Sequence, residues 1–214
     1  MFLVTLFAAT AAMTSSPRYA DCIEFLNADI ELGRIAAQQW VSEGGGVEAR
    51  HCLAVADMKA GFPKLSALRL EEIAQRKDAG DDYMRARVLS QAAEAWLAAG
   101  ELTQAEAALD QARALVPDSG ELQLTAAKIY GAQEQWQNVI DAVDAAEEAG
   151  FVSAETFVLR GRGRHVFGAY ESAANDVVAA LSIDPTNIDA LVLRGDLQQV
   201  GITIDVFLAA SPAE

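Results

Sequence analysis

Positive charge is scarce in this chain. Lysine and arginine together number 16 against 31 aspartates and glutamates, so the formal net charge at pH 7 is −15. Nucleic-acid binding relies on cations that neutralise phosphates, and anionic membrane surfaces attract the same cations. The composition therefore argues against nucleic acid and against an anionic membrane surface as partners. It is compatible with an acidic, well-solvated protein and also with one that attracts basic partners.

Helix-breaking and strand-forming patterns are also rare. Only 5 of the 214 residues are proline, aromatic residues make up 7%, and no run of alternating β-branched residues predicts a strand. The hydrophobic fraction is 52%, and much of it is alanine, which favours helices and lets them pack closely. The sequence predicts an all-α fold, either one domain or one elongated array.

Residues that carry chemistry are few. The chain has 2 cysteines and 2 histidines, which is too few for a histidine- and cysteine-based metal site. His51 and Cys52 are adjacent and point about 100° apart on a helix. Gly161 and Gly163 lie within a predicted helix rather than in a phosphate-binding loop, and no catalytic set stands out. We therefore expect no enzyme activity, no cofactor and no metal.

The long hydrophobic runs that membrane-spanning helices need are missing as well. Phe2–Met13 is apolar but too short to cross a bilayer, and its length suits the core of a signal peptide. Ala9-Thr10-Ala11 offers a cleavage site, although no lysine or arginine precedes the run. We predict a signal peptide at 1–18 and an exported, periplasmic protein without a transmembrane segment in the mature chain. The alternative is a cytoplasmic protein with a buried N-terminal helix. Asp21 argues against a lipid anchor on Cys22.

What the chain does have is a 34-residue period. Small and apolar residues recur at that step in several columns: Ala93, Ala127, Gly161 and Gly195; Leu102, Trp136 and Tyr170; Ala105, Val139 and Ala173; Leu109, Val143 and Val177; Ala112, Ala146 and Ala180. Such a period indicates stacked helical hairpins. It defines units at 86–119, 120–153 and 154–187 and a partial unit at 188–214. A degenerate unit at 47–80 belongs to an N-terminal helical region at 19–80, and residues 81–85 are an insertion.

These residues resemble the tetratricopeptide repeat (TPR) family. The third unit matches the family pattern at Phe157, Gly161, Gly168, Tyr170, Ala173, Ala180 and Pro185. The second unit departs from it at its turn, where Glu134 replaces glycine. The resemblance implies a right-handed α-solenoid that binds a protein or peptide in a concave groove. More loosely, Cys22, Trp40, Gly44–Gly46 and His51-Cys52 make the start similar to exported bacterial TPR proteins. The expected function is a cell-envelope interaction scaffold, or alternatively a periplasmic assembly or stability factor.

The two cysteines suggest one disulfide. An even cysteine count in an exported chain favours a bridge. Asn27-Ala28-Asp29 is a capping sequence that predicts a short helix near 19–26 and a longer one near 28–43, so that Cys22 folds back toward Cys52. Two buried free thiols are the alternative.

In TPR arrays the first helix of each unit lines the groove. The resemblance maps this surface onto Glu94, Leu97, Lys128, Arg162, His165 and Asp196, together with Ser90, Leu124, Gly131, Val158, Val192 and Gln199. Ser90, Glu94, Leu124 and Val158 replace the cations and amides that hold a C-terminal carboxylate in chaperone-binding members, which argues against that mode.

The positive charges of the third unit allow two interpretations. Arg160, Arg162, Arg164 and His165, with Arg194 one unit later, either pair with nearby carboxylates as structural residues or anchor an acidic peptide. Arg162 is the stronger candidate for an anchor because it is expected to face the groove. In the tail, Val206, Phe207 and Leu208 form either an imperfect cap or a patch for a partner.

Overall fold

The computed structural model describes residues 16–204 of the chain, and within them eleven helices follow one another without a strand. Their bounds are α1 Pro17–Ala28, α2 Ile30–Ser42, α3 Gly46–Lys59, α4 Pro63–Ala74, α5 Asp82–Ala98, α6 Leu102–Leu115, α7 Gly120–Ala132, α8 Trp136–Glu148, α9 Ala154–Val166, α10 Tyr170–Ile183 and α11 Ile188–Gln199. The prediction of an all-α fold is confirmed. None of the described helices is both long enough and apolar enough to cross a membrane.

The helices form a linear stack of hairpins. Each helix packs against the next one in sequence, and α5, α7, α9 and α11 also contact one another in succession. Nearest-neighbour packing of this kind defines a solenoid. The repeat columns lie at its centre: the three columns that begin at Ala105, Leu109 and Ala112 are exposed by no more than 3% at any member. The 34-residue period therefore reports the core positions of the hairpins.

The turns inside the hairpins share one backbone geometry. Gly61, Gly100 and Gly168 have positive φ angles of 81°, 75° and 72°, just after the first helix of each hairpin. Glu134 occupies the corresponding place in the second unit with φ 58°, and it is the one non-glycine residue with positive φ in the described part of the chain. The chain keeps the turn there despite the steric cost to a side chain.

The structure adds detail at two places in the predicted stack. The insertion before the first full unit is mostly helical, because the Asp81 side chain accepts a hydrogen bond from the Met84 amide and α5 starts at Asp82. The repeat pattern predicts close packing at Gly195 like that at Gly161. A Cβ on Gly161 would lie 2.9 Å from the Leu193 side chain, whereas one on Gly195 meets no described residue within 4 Å. Most of the segment expected to pack there, 205–214, lies outside the described residues, so close packing at Gly195 stays a prediction. Residues 201–204 follow α11 without forming a second helix against it.

The two ends of the described chain bear on the sequence-based predictions. Residues 1–15 and 205–214 lie outside the described residues, so most of the predicted signal peptide and the tail residues Val206, Phe207 and Leu208 do too. The first residues of α1, Pro17 and Arg18, fall inside the segment predicted as a signal peptide. At the other end, Ile204 is 8% exposed and packs against the core of α9, α10 and α11.

The contact between α1 and α3 brings the two cysteines together. Asp29 ends α1 and caps α2 by accepting a hydrogen bond from the Leu32 amide, as the capping sequence predicted. The Cα atoms of Cys22 and Cys52 are 6.5 Å apart, a separation that a disulfide spans. The disulfide itself stays a prediction.

Candidate functional site

The first helices of successive hairpins create one extended face. Helices α5, α7, α9 and α11 lie side by side, and α1 contacts α3 in the same way. Residues at equivalent repeat positions are therefore brought next to one another, although they are 34 apart in sequence. We call this surface the concave face, after the groove of the family that the chain resembles.

Lys128 stands at the middle of the concave face. Its Nζ atom lies 2.8 Å from Oε1 of Glu94 on α5 and 3.1 Å from Oε2 of Glu155 on α9. Burial lowers the pKa of Lys128, but the charges and hydrogen bonds of Glu94 and Glu155 raise it more, so its pKa lies above the ordinary value. Lys128 is thus charged at physiological pH, and it ties three consecutive repeats together.

Arg162 repeats this arrangement one unit later. Its guanidinium contacts Asp189 of α11 at 2.5 Å. Lys128 and Arg162 occupy the same repeat position, and each pairs with the acidic residue 27 positions further on, Glu155 and Asp189. The two pairs follow from one geometric rule, because the same turn of each first helix contacts the start of the next first helix.

The ion pairs of Lys128 with Glu94 and Glu155, and of Arg162 with Asp189, together form what we call the polar seam. Hydrogen bonds between neutral side chains extend this seam toward the N-terminus. Nε2 of His51 on α3 lies 2.6 Å from Oε1 of Gln91 on α5, and Nδ1 lies 2.7 Å from the Tyr19 hydroxyl on α1. With Nε2 protonated, His51 donates to Gln91 and accepts from Tyr19. Burial lowers the pKa of His51, and the nearby positive charge of Arg87 lowers it further; together they outweigh the hydrogen bond to Gln91, which raises it. Burial thus favours the neutral ring.

Three of the residues predicted for the groove belong to this seam, and the others lie elsewhere. Glu94, Lys128 and Arg162 form it, and Leu97 is half-buried against the central core. Asp196 is exposed and takes part in no ion pair within residues 16–204. His165 is half-buried with its ring 5.4 Å from the Tyr170 ring, across the hairpin turn. It packs on the second helix of its own unit rather than reaching along the seam.

Two further groove assignments need correction. Leu124 is 8% exposed and Val158 is 3% exposed, so neither offers an open surface. The repeat pattern alone did not distinguish this burial from groove lining.

A column of exposed small and apolar residues is not among the predicted groove residues. Ala98, Ala132, Val166 and Val200 are all exposed and recur every 34 residues. Each follows a groove position by four residues, so it lies on the same side of its helix, one turn later. The 34-residue step itself was the signal that could have revealed them.

Arg160 pairs with nearby carboxylates as a structural residue, which is one of the two roles predicted for the arginines of the third unit. Its guanidinium is almost fully enclosed and contacts Asp144 at 2.7 Å, Glu147 at 2.5 Å and Asp176 at 2.9 Å. Burial lowers the pKa of Arg160, but these hydrogen bonds raise it more, so its pKa lies above the ordinary value. Arg164 completes the network through Asp176 at 2.8 Å. These two arginines hold α8, α9 and α10 together and are not available to a partner.

Arg194 does not repeat this network. It is half-buried on α11 and forms no ion pair among the residues described. A matching arrangement occurs instead near the N-terminus, where the fully buried Asp57 accepts from Arg34 at 2.7 Å and from Arg69 at 2.6 Å.

Between Ser16 and Ile204, no group of three or more His, Cys, Asp or Glu side chains is arranged to hold a metal ion.

Comparison with solved structures identifies the fold. A thermophilic TPR protein of Thermus thermophilus superposes with a TM-score of 0.66 at 17% identity, covering 85% of this chain and 97% of that one. An assembly chaperone of RpL4 gives 0.60 at 16% identity over 85% and 80%. The TPR domain of Arabidopsis OM64 gives 0.51 at 19% identity over 55% and 98%. No protein-family model and no curated protein matches the sequence. The chain has a TPR-like fold.

Proposed function

We propose that this chain is a protein-interaction module of the cell envelope that binds an extended segment of a partner protein along the concave face. The observation that carries the proposal is the exposed column Ala98, Ala132, Val166 and Val200, which runs beside the polar seam. A partner backbone laid along the column would bury apolar surface and reach polar side chains at each repeat. The TPR-like fold supports binding to protein rather than catalysis.

The seam constrains the chemistry of the partner. Lys128 and Arg162 are already paired with carboxylates of the neighbouring repeats. An acidic segment would have to displace Glu155 or Asp189 to reach them, and Asp196 adds a further negative charge at the C-terminal end of the face. The arrangement therefore favours neutral or basic segments over a captured carboxylate.

Location in the envelope rests on two features. The apolar Phe2–Met13 run suits a signal peptide, and the approach of Cys22 and Cys52 suits a disulfide in an oxidising compartment. Fusion of residues 1–20 to a reporter that is active only after export tests this part. Activity of the fusion supports the envelope location, and retention of the reporter in the cytosol contradicts it.

Site-specific photo-crosslinking tests the binding face. A photoreactive amino acid placed at Ala98 or Ala132 is expected to capture a discrete partner from intact cells, because both side chains project from the concave face. The same amino acid at Ala107, an exposed alanine on the second helix α6, is the matched control. Equal capture from Ala107 and from the two concave positions would contradict the proposal.

A further inference from the structure

A cleft lies between α1 and α2, at the N-terminal end of the stack. It has a volume of about 400 Å³ and its walls are formed by Phe25 and Ala28 of α1 and by Ala36 and Trp40 of α2. This volume is within the range of about 300–1,000 Å³ that is typical of ligand pockets, and the mostly apolar lining is typical as well. None of these residues belongs to the seam.

The α1–α2 cleft lies beside a close contact between the two helices. A Cβ on Gly33 would lie 2.7 Å from the Leu26 side chain, so the contact there requires glycine. Beyond this crossing, Ala28 and Ala36 are too small to fill the space between the helices. Trp40 is fixed as one wall, since it is only 6% exposed and packs so tightly on Gly45 that a Cβ there would lie 2.2 Å from its Nε1.

The rim of the cleft carries an uncompensated negative charge. Arg18 stacks over the Trp40 ring at 5.0 Å from its centroid, and its guanidinium is paired with Glu43. Asp21 and Glu24 also border the cleft, and neither forms an ion pair with any residue between 16 and 204. They are three residues apart and therefore neighbours on one side of α1.

Apolar walls and an acidic rim together define the ligand class. We propose that this α1–α2 cleft binds an apolar side chain of a partner protein that is flanked by lysine or arginine. The apolar side chain enters between Phe25 and Trp40, and the flanking cation pairs with Asp21 or Glu24. This is a second docking site, independent of the concave face.

The experiment uses three fluorescein-labelled peptides that differ only at a central tripeptide within a glycine-serine frame. The tripeptides are Lys-Phe-Lys, Glu-Phe-Glu and Lys-Ala-Lys, and binding to the full chain is measured by fluorescence anisotropy. The Lys-Phe-Lys peptide is expected to bind at least tenfold more tightly than either of the others. Equal affinities for Lys-Phe-Lys and Lys-Ala-Lys would reveal non-specific charge attraction and overturn the proposal.

Variants then locate the binding. Ala36→Trp fills the cleft and is expected to weaken Lys-Phe-Lys binding at least tenfold, whereas Ala107→Trp, at an exposed alanine far along the chain, leaves it unchanged. Should Ala36→Trp lose helical signal, the double change Asp21→Asn with Glu24→Gln removes the rim charge without adding volume, and it is expected to give a similar loss. Unchanged affinity in the folded variants would contradict the proposal.

Two further outcomes would show that a different molecule occupies the cleft or that the peptide binds elsewhere. Self-association of the unmodified chain in sedimentation that Ala36→Trp abolishes would assign the cleft to a second copy and overturn the proposal. Lys-Phe-Lys binding that is lost in Ala132→Phe, a change on the concave face, would place the peptide there and overturn it as well. Failure of the concave-face proposal leaves this one intact.

Discussion

Replacement of Glu134 by glycine is expected to stabilise the protein. Glu134 has φ 58° and stands where the other hairpin turns have Gly61, Gly100 and Gly168. A left-handed backbone costs an L-residue about 1–2 kcal/mol, while glycine loses about 0.5–1 kcal/mol more conformational entropy than alanine on folding. The difference predicts a net gain of about 0.5–1 kcal/mol in the free energy of unfolding.

The effect of removing the Glu134 charge must be distinguished from the effect of relieving its backbone strain. Glu134 is exposed, follows the C-terminus of α7 and makes no ion pair in the described part of the chain. Its negative charge is unfavourable near that helix end, so removing the charge alone stabilises the protein slightly. Glu134→Ala removes the charge and keeps the strain, which makes it the matched control.

Urea and thermal unfolding, followed by circular dichroism, measure the difference between the two variants. Glu134→Gly is expected to exceed Glu134→Ala by about 0.5–1 kcal/mol, which corresponds to roughly 1–4 °C in melting temperature for a chain of this size. A glycine variant that is no more stable than the alanine variant would refute the claim that the turn strains the glutamate.

Three other predictions concern the interior and the N-terminal hairpin. Because the pKa of His51 is lowered in the folded state, the free energy of unfolding is expected to fall as the pH drops below the unfolded pKa of about 6.5. The His51→Gln variant should lose less stability than the unmodified protein between pH 7 and pH 5 in urea titrations. Parallel stability curves for the two proteins would contradict this. Arg160→Ala is expected to lower the free energy of unfolding by about 3–5 kcal/mol and Arg162→Ala by less than about 1 kcal/mol, because only the first leaves a buried carboxylate without its main partner. Similar losses for the two variants in chemical unfolding would argue against the buried network. Non-reducing mass spectrometry of exported protein should find Cys22 joined to Cys52, with reduction costing roughly 3 kcal/mol, and two alkylated thiols would exclude the bridge.

The period predicted the hairpins because buried positions must repeat when each hairpin packs on the next one. Ala105, Val139 and Ala173 are fully buried for that reason. The start of α5 was missed, because a short insertion becomes helical when an aspartate such as Asp81 caps it and the following residues tolerate helix. Periodicity carries no information about such a local extension.

The binding surface was less predictable than the core. The position of Lys128 and Arg162 on the concave face follows from the repeat register, but their partners Glu155 and Asp189 lie 27 residues away, a spacing that only the side-by-side packing of first helices explains. Arg160 sits two residues from Arg162 in sequence and faces the opposite way, into a buried network. A cluster of arginines in the sequence thus divides into roles that depend on the side of the helix.

The affinity of a captured partner for two matched variants tests the central claim most directly. Ala132→Phe adds bulk to the concave face and Ala107→Phe adds the same bulk to an exposed position on α6. If the partner segment lies along the concave face, Ala132→Phe weakens binding at least tenfold while Ala107→Phe and the helical signal of both variants stay unchanged. Unaltered affinity of Ala132→Phe, or an equal loss from Ala107→Phe, would contradict the account.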